Sequence, residues 1–145
     1  MQPVSAHAIL STINAKESLM WIEYNPNPVG RRVDDCAVRA ISKALGWDWD
    51  KAYAVIASYG MSMGDMMHSN SVWGEVLRNE GFVREMVPNT CPDCYTAAQF
   101  GEDHPTGLYV LGFGSHVATM VDSNIYDTWD SSDCTVLYYW KRKEE

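Results

Sequence analysis

Apolar residues recur at helical spacing directly after a turn-rich loop. Ala37, Val38, Ala40, Ile41, Ala44 and Leu45 mark one face of a helix of about three turns, preceded by Asp34-Asp35-Cys36 and stopped by Gly46. Asp48 to Tyr59 predicts a second helix, with Asp48 or Asp50 as its cap. Ser71 to Glu80 predicts a third, with Val72, Trp73, Val76 and Leu77 as its stripe and Gly81 as its end. The period then changes. Phe82 to Val87 predicts a strand and Thr96 to Glu102 a short helix; Leu108 to Leu111, His116 to Val121, Ile125 to Trp129 and Thr135 to Trp140 are rich in β-branched and aromatic residues and predict strands. Turn signals separate those strands at Gly112–Gly114, Asp122-Ser123-Asn124 and Ser131-Ser132-Asp133. Ahead of the helices, Met20 to Tyr24 is apolar and suits an extended segment. Asn25-Pro26-Asn27-Pro28-Val29-Gly30 is a loop, because each proline pushes its predecessor away from helix. Residues 1–20 are weakly patterned, a short helix or a loose arm. Helices followed by an antiparallel meander predict an α+β fold, a single domain over 1–145.

Composition narrows the function classes. An apolar fraction of 46 % with 12 % aromatics supports a packed core over 145 residues. The net charge of -8 counts against nucleic acid as a partner, and the only basic runs are Arg31-Arg32 and Lys141-Arg142-Lys143. No stretch approaches the roughly 20 apolar residues of a membrane span, and Met1 to Ser18 lacks a secretory pattern, so a cytoplasmic location is expected. In that compartment the four cysteines are expected to be free, catalytic or metal-bound rather than paired as disulfides.

One cysteine stands where chemistry favours it. A helix N-terminus stabilises a thiolate through its unpaired N–H groups and the macrodipole, and Cys36 opens the first predicted helix. A cysteine in a mostly apolar helix is also commonly a small buried hydrophobe, so its position alone does not decide. His116 opens a predicted hairpin whose return strand, Ile125 to Ser131, carries Asp127 and Asp130. A carboxylate there can fix the imidazole tautomer and stabilise its charged form. Which acid does so depends on the turn. With Asp122-Ser123-Asn124 as the turn, His116 lies opposite Asp130; a tighter turn at Asp122-Ser123 brings Asp127 onto its face.

The order of a cysteine on the first core helix, then a histidine and an acid or amide on adjacent strands, resembles the papain-like cysteine peptidase superfamily. Asp127-Thr128-Trp129-Asp130 resembles the Asn-Ser-Trp and Asn-Pro-Trp-Asp segments of papain and staphopain relatives. Asn25-Pro26-Asn27-Pro28, Asp35-Cys36-x-x-Arg39-Ala40-Ile41, His104-Pro105-x-Gly107-x-Tyr109 and His116 with Tyr126-Asp127-Thr128-Trp129-Asp130 look like small cysteine-peptidase-like proteins of phages and gut bacteria, over about residues 22–141. The resemblance implies a papain-like fold in which Cys36 is the nucleophile, His116 the general base and acid, Asp127 the orienting acid and Trp129 a shield over the pair. Papain relatives place a glutamine a few residues before the cysteine; Gly30 stands at that spacing here. The side chain of Asn25 or Asn27, with the Cys36 backbone N–H, is the candidate oxyanion donor, and either asparagine equally suits a plain turn role.

The implied activity is that of a cysteine hydrolase, foremost a peptidase acting on peptide or isopeptide bonds, with no cofactor, a peptide or protein as substrate, and neither nucleic acid nor membrane as partner. The alternatives are an amidase or cell-wall peptide hydrolase using the same residues, and a non-catalytic protein-binding accessory factor on the same scaffold. Cys91-Pro92-Asp93-Cys94 is a CxxC pair, but a zinc site needs two further ligands and only His104 and Cys134 offer themselves, so no metal is expected. The methionine cluster Met61 to Met67, with Gly60 and Gly64, reads as adaptable packing or a mobile lid over a groove.

Overall fold

A computed structural model describes residues 20–88 and 93–144. The fold is α+β, with a six-stranded mixed sheet and four helices among the described residues. Helix α1 runs Cys36–Leu45, α2 Trp49–Met63, α3 Asn70–Asn79 and α4 Ala97–Asp103. The strands are β1 Met20–Glu23, β2 Phe82–Met86, β3 Leu108–Gly112, β4 Val117–Val121, β5 Asn124–Asp127 and β6 Tyr138–Arg142. The weakly patterned arm and Cys91 lie outside the described residues.

The helices begin and end for identifiable reasons. Asp48 caps α2 by accepting the Lys51 N–H at 2.8 Å, and Thr96 with Gln99 forms a capping box at α4. The second helix was expected to end near Tyr59 with a mobile methionine segment after it. It continues through Met61 to Met63, and Gly64, at φ 70, is where it stops. Gly60 inside that helix is no stop signal: a Cβ there would lie 2.8 Å from the Asp65 carbonyl, so the glycine lets the next turn fold tightly back.

The expected meander holds for only three strands. The sheet order is β1-β5-β4-β3-β6-β2. β3, β4 and β5 pair antiparallel in succession, but β6 pairs with β3 and β2 rather than β5, and β1 lies parallel to β5. The last strand therefore begins at Tyr138, three residues later than its composition predicts. The residues before it belong to the crossing, where Thr135 bridges Thr96 and Val136 donates to the Tyr95 carbonyl.

Alternation along the strands builds two cores. Val110, Val117, Tyr138 and Trp140 pack against α1, α2 and α3, around Ile41, Ile56, Trp73 and Leu77. Leu111, Phe113, Ala118, Met120 and Ile125 pack against Phe100 of α4 on the other face. The helical side holds α1 firmly to the sheet: Thr119 of β4 donates its hydroxyl to the Ala40 carbonyl at 2.7 Å. That bond fixes the start of α1 relative to the β4–β5 hairpin.

Candidate active site

Cys36 is the first residue of α1 and half-buried. The residue before it, Asp35, occupies the N-cap position but makes no side-chain cap bond. Its carboxylate turns inward instead, to the Arg39 guanidinium and to Trp49 Nε1 at 2.8 Å. The first N–H groups of α1, which a capping aspartate commonly covers, are left uncovered by it beside the sulfur. The positive end of the helix is thereby directed at Cys36.

His116 ends a four-residue connection between β3 and β4, closed by the Phe113 N–H donating to the His116 carbonyl at 2.9 Å. Its ring lies between Phe113 (centroids 5.8 Å apart, 13° between planes) and Trp129 (4.8 Å, 36°). Nε2 is 2.6 Å from Asp127 Oδ2, and Cys36 lies beside the ring, close enough to raise its affinity for a proton. With Nε2 engaged, Nδ1 is the nitrogen left for the sulfur. Trp129 thus lies against the imidazole.

The turn between β4 and β5 selects the acid. Asp122 and Ser123 both have positive φ, 50° and 69°, and Val121 pairs with Asn124. This is a two-residue turn of the type hairpins favour. The side-chain alternation then brings Asp127 to the imidazole, and Asp130 lies elsewhere, exposed and accepting the Ser132 N–H at 3.1 Å.

Asp127 is wholly buried and its oxygens are fully engaged. Oδ2 takes His116 and the Ser131 hydroxyl (2.7 Å); Oδ1 takes Arg39 Nη2 (3.0 Å) and the Thr128 N–H (2.8 Å). Arg39, three residues along α1 from Cys36, has a side chain only 6 % exposed and bridges Asp35 to Asp127. A continuous chain of contacts therefore runs Trp49–Asp35–Arg39–Asp127–His116–Cys36, with Asp35, Arg39 and Asp127 buried. Without Arg39, the Asp35 carboxylate would keep only the Trp49 indole N–H among the described residues, and Asp127 would lose its guanidinium partner.

Charge in this chain is held in one state. Burial works against a charged imidazole, yet the hydrogen bond it donates to the Asp127 carboxylate, with that carboxylate's charge and the neighbouring Cys36, outweighs it and holds His116 up at about 9. Burial likewise favours a neutral Asp127, but its bonds from His116 and Ser131 prevail and keep the carboxyl below the usual range. At neutral pH the imidazole is an imidazolium held by the Asp127 carboxylate.

The pair opens on a cleft of about 810 Å³, walled by apolar Val29, Val33, Tyr53 and Met67 and by the first turn of α1. Asn27 lines it, with its Oδ1 accepting from the Val29 N–H at 3.0 Å. Asn25 does not line it; its amide donates to the Gly30 and Arg31 carbonyls and braces the loop. Of the two asparagines offered as oxyanion donors, geometry leaves Asn27. Met67 and His68 belong to the cleft wall, whereas Met61, Met63 and Met66 face outward. His104 stacks on Phe100 with centroids 3.9 Å apart and its Nδ1 3.0 Å from the Phe100 carbonyl. No cluster of three or more His, Cys, Asp or Glu side chains placed to hold a metal occurs among the described residues. Cys36, Cys94 and Cys134 are free thiols, and no helix among the described residues is long and apolar enough to cross a membrane.

Three contributors escaped the reading of the sequence: Asp35 as a turned-in cap, Arg39, and Ser131. A charged residue between Val38 and Ala40 on an apolar helix, four places after an aspartate, was the available signal for the first two. Ser131 lay inside a turn cluster and had none. Compared with known proteins, the chain matches no family model, no curated protein and no solved structure.

Proposed function

We propose that the chain is a papain-like thiol hydrolase, foremost a peptidase, with Cys36 as nucleophile, His116 as proton carrier and Asp127 as the group that orients it. One observation carries this reading: a single imidazole, on the wall of an open cleft, lies beside a helix-opening cysteine and hydrogen-bonds a buried carboxylate at 2.6 Å. In the reaction the Cys36 thiolate attacks the substrate carbonyl carbon. The C–N bond breaks as His116 passes its proton to the leaving amine, and the acyl group stays on sulfur. Water, losing a proton to the now neutral His116, then attacks the thioester and restores the thiol pair. The uncovered N–H groups of α1 and the Asn27 amide face the oxygen on which charge develops. A cleft of 810 Å³ with an apolar wall suits a short length of polypeptide, and a reducing compartment such as the cytoplasm keeps Cys36 as a thiol.

Thiol reactivity tests the reading. Iodoacetamide should alkylate Cys36 at a rate that stays high well below the pKa of about 8.5 of a free thiol. His116→Ala should slow it at pH 6 by an order of magnitude or more. Alkylation that follows the free-cysteine titration and ignores His116→Ala would end the hydrolase reading.

A further inference from the structure

A second cavity of about 250 Å³ lies beside the catalytic cleft. Asn70, Trp73 and Tyr138 line both, so little more than those side chains separates them. The smaller one has a different character. Its remaining wall is Ser71, Gly74, Arg78 of α3, Arg84 of β2 and Trp140 of β6, with no carboxylate among them. Arg84 lies over the Tyr138 ring, its Cζ 4.3 Å from the centroid, and Arg78 lies 5.2 Å from the Trp140 ring. Stacking of this kind holds a guanidinium plane in place and leaves its N–H edge for an anion. Arg78 is partly neutralised by Glu75 at 2.6 Å, while no ion pair involves Arg84 among the described residues. Trp140 is 2 % exposed, and its Nε1 is a buried donor without a hydrogen-bond partner. Native structures rarely leave such a group unmatched.

We propose that this cavity is a carboxylate-binding subsite of the Cys36 cleft: Arg84 and Arg78 supply the charge, and the Trp140 indole forms part of the wall. The proposal rests on the hydrolase reading for its place in a reaction and on the cavity alone for its binding. Its occupant is an acidic side chain or the terminal carboxylate of a peptide. Asn70, Trp73 and Tyr138 border both spaces, so the acidic group lies close along the peptide to the reacting carbonyl.

Binding to the intact Cys36→Ala chain separates this idea from catalysis. The probes are acetylated trialanine as free acid and as amide, and the amidated tripeptide with glutamate or glutamine at its centre. The indole N–H resonance of Trp140, assigned by Trp140→Phe, is followed by NMR. A peptide bearing a carboxylate should shift that resonance and bind about tenfold or more tightly than its neutral twin, and Arg84→Gln should abolish the preference. The pair that discriminates tells a chain terminus from an acidic side chain. Equal binding of acid and neutral twins, or no binding of any at millimolar concentration, overturns the subsite. Discrimination by a protein whose Cys36 fails the alkylation test would retire hydrolysis and keep the subsite.

Discussion

The imidazole of His116 has two neighbours that raise its affinity for a proton, Asp127 and Cys36, and its protonation reports on both. Desolvation lowers its affinity for a proton, while Asp127 and Cys36 each raise it, to a pKa of about 9. Cys36→Ala removes the sulfur that helps raise it, so the His116 pKa should fall yet stay above that of a protein lacking Asp127. Asp127→Asn should lower it further, because the 2.6 Å bond to a carboxylate is lost. NMR titration of the imidazole in the three proteins checks the order; an unchanged value in Cys36→Ala would show that sulfur and ring do not interact. At this scale the sequence was informative. Cys36 was legible because a helix start changes a thiol, and His116 because a hairpin carries it. Asp127 against Asp130 was not, since it turned on whether Asp122 and Ser123 accept positive φ, which residues of their type do only in context.

Helix α1 carries Cys36 on its end and a charged residue, Arg39, in its interior that ties it to Asp127. Arg39 is the sole cation contacting both Asp35 and Asp127 among the described residues. Arg39→Met removes it and leaves two buried carboxylates with less than their full set of partners. Breaking a buried pair this way costs about 3–5 kcal/mol, which urea denaturation should register as a loss of that order, larger than the loss for Arg39→Lys. Gly112 tests the neighbouring strands. A Cβ there would stand 2.1 Å from the Tyr138 ring, which lies flat against the glycine between the two cavities. Gly112→Ala must push Tyr138 aside, at about 1–3 kcal/mol, and the same denaturation measures it. Neither role follows from local pattern. Helices and most strands were legible because their periods are local; the crossing of β6 to β3 and β2 was not, because pairing between distant strands leaves no mark in a short window of sequence. Starting the last strand at Thr135 was the price of that.

Over the whole molecule the buried chain from Trp49 to Cys36 couples folding to pH at both ends of the scale. His116 binds its proton more tightly folded, at about 9 against 6.5, so its contribution is fully present below 6.5, wanes as the pH rises and is gone above about 9. Asp127 is displaced the other way, below 3.8, so its contribution is present above that value and is lost as the pH falls through its lowered pKa. Both act together only between about 3.8 and 6.5. Titratable groups elsewhere in this acidic chain shape the absolute stability, but they are common to the wild type and His116→Gln. The difference between the two proteins therefore isolates the imidazole and its carboxylate. Urea midpoints taken from pH 3 to 10 should show the wild type ahead by a constant margin across that window. The margin should shrink towards acid as Asp127 protonates and towards base as His116 loses its proton. A margin that grows above pH 6.5 would mean that the fold holds the imidazole neutral, and the charged pair at the mouth of the cleft would have to be abandoned along with it.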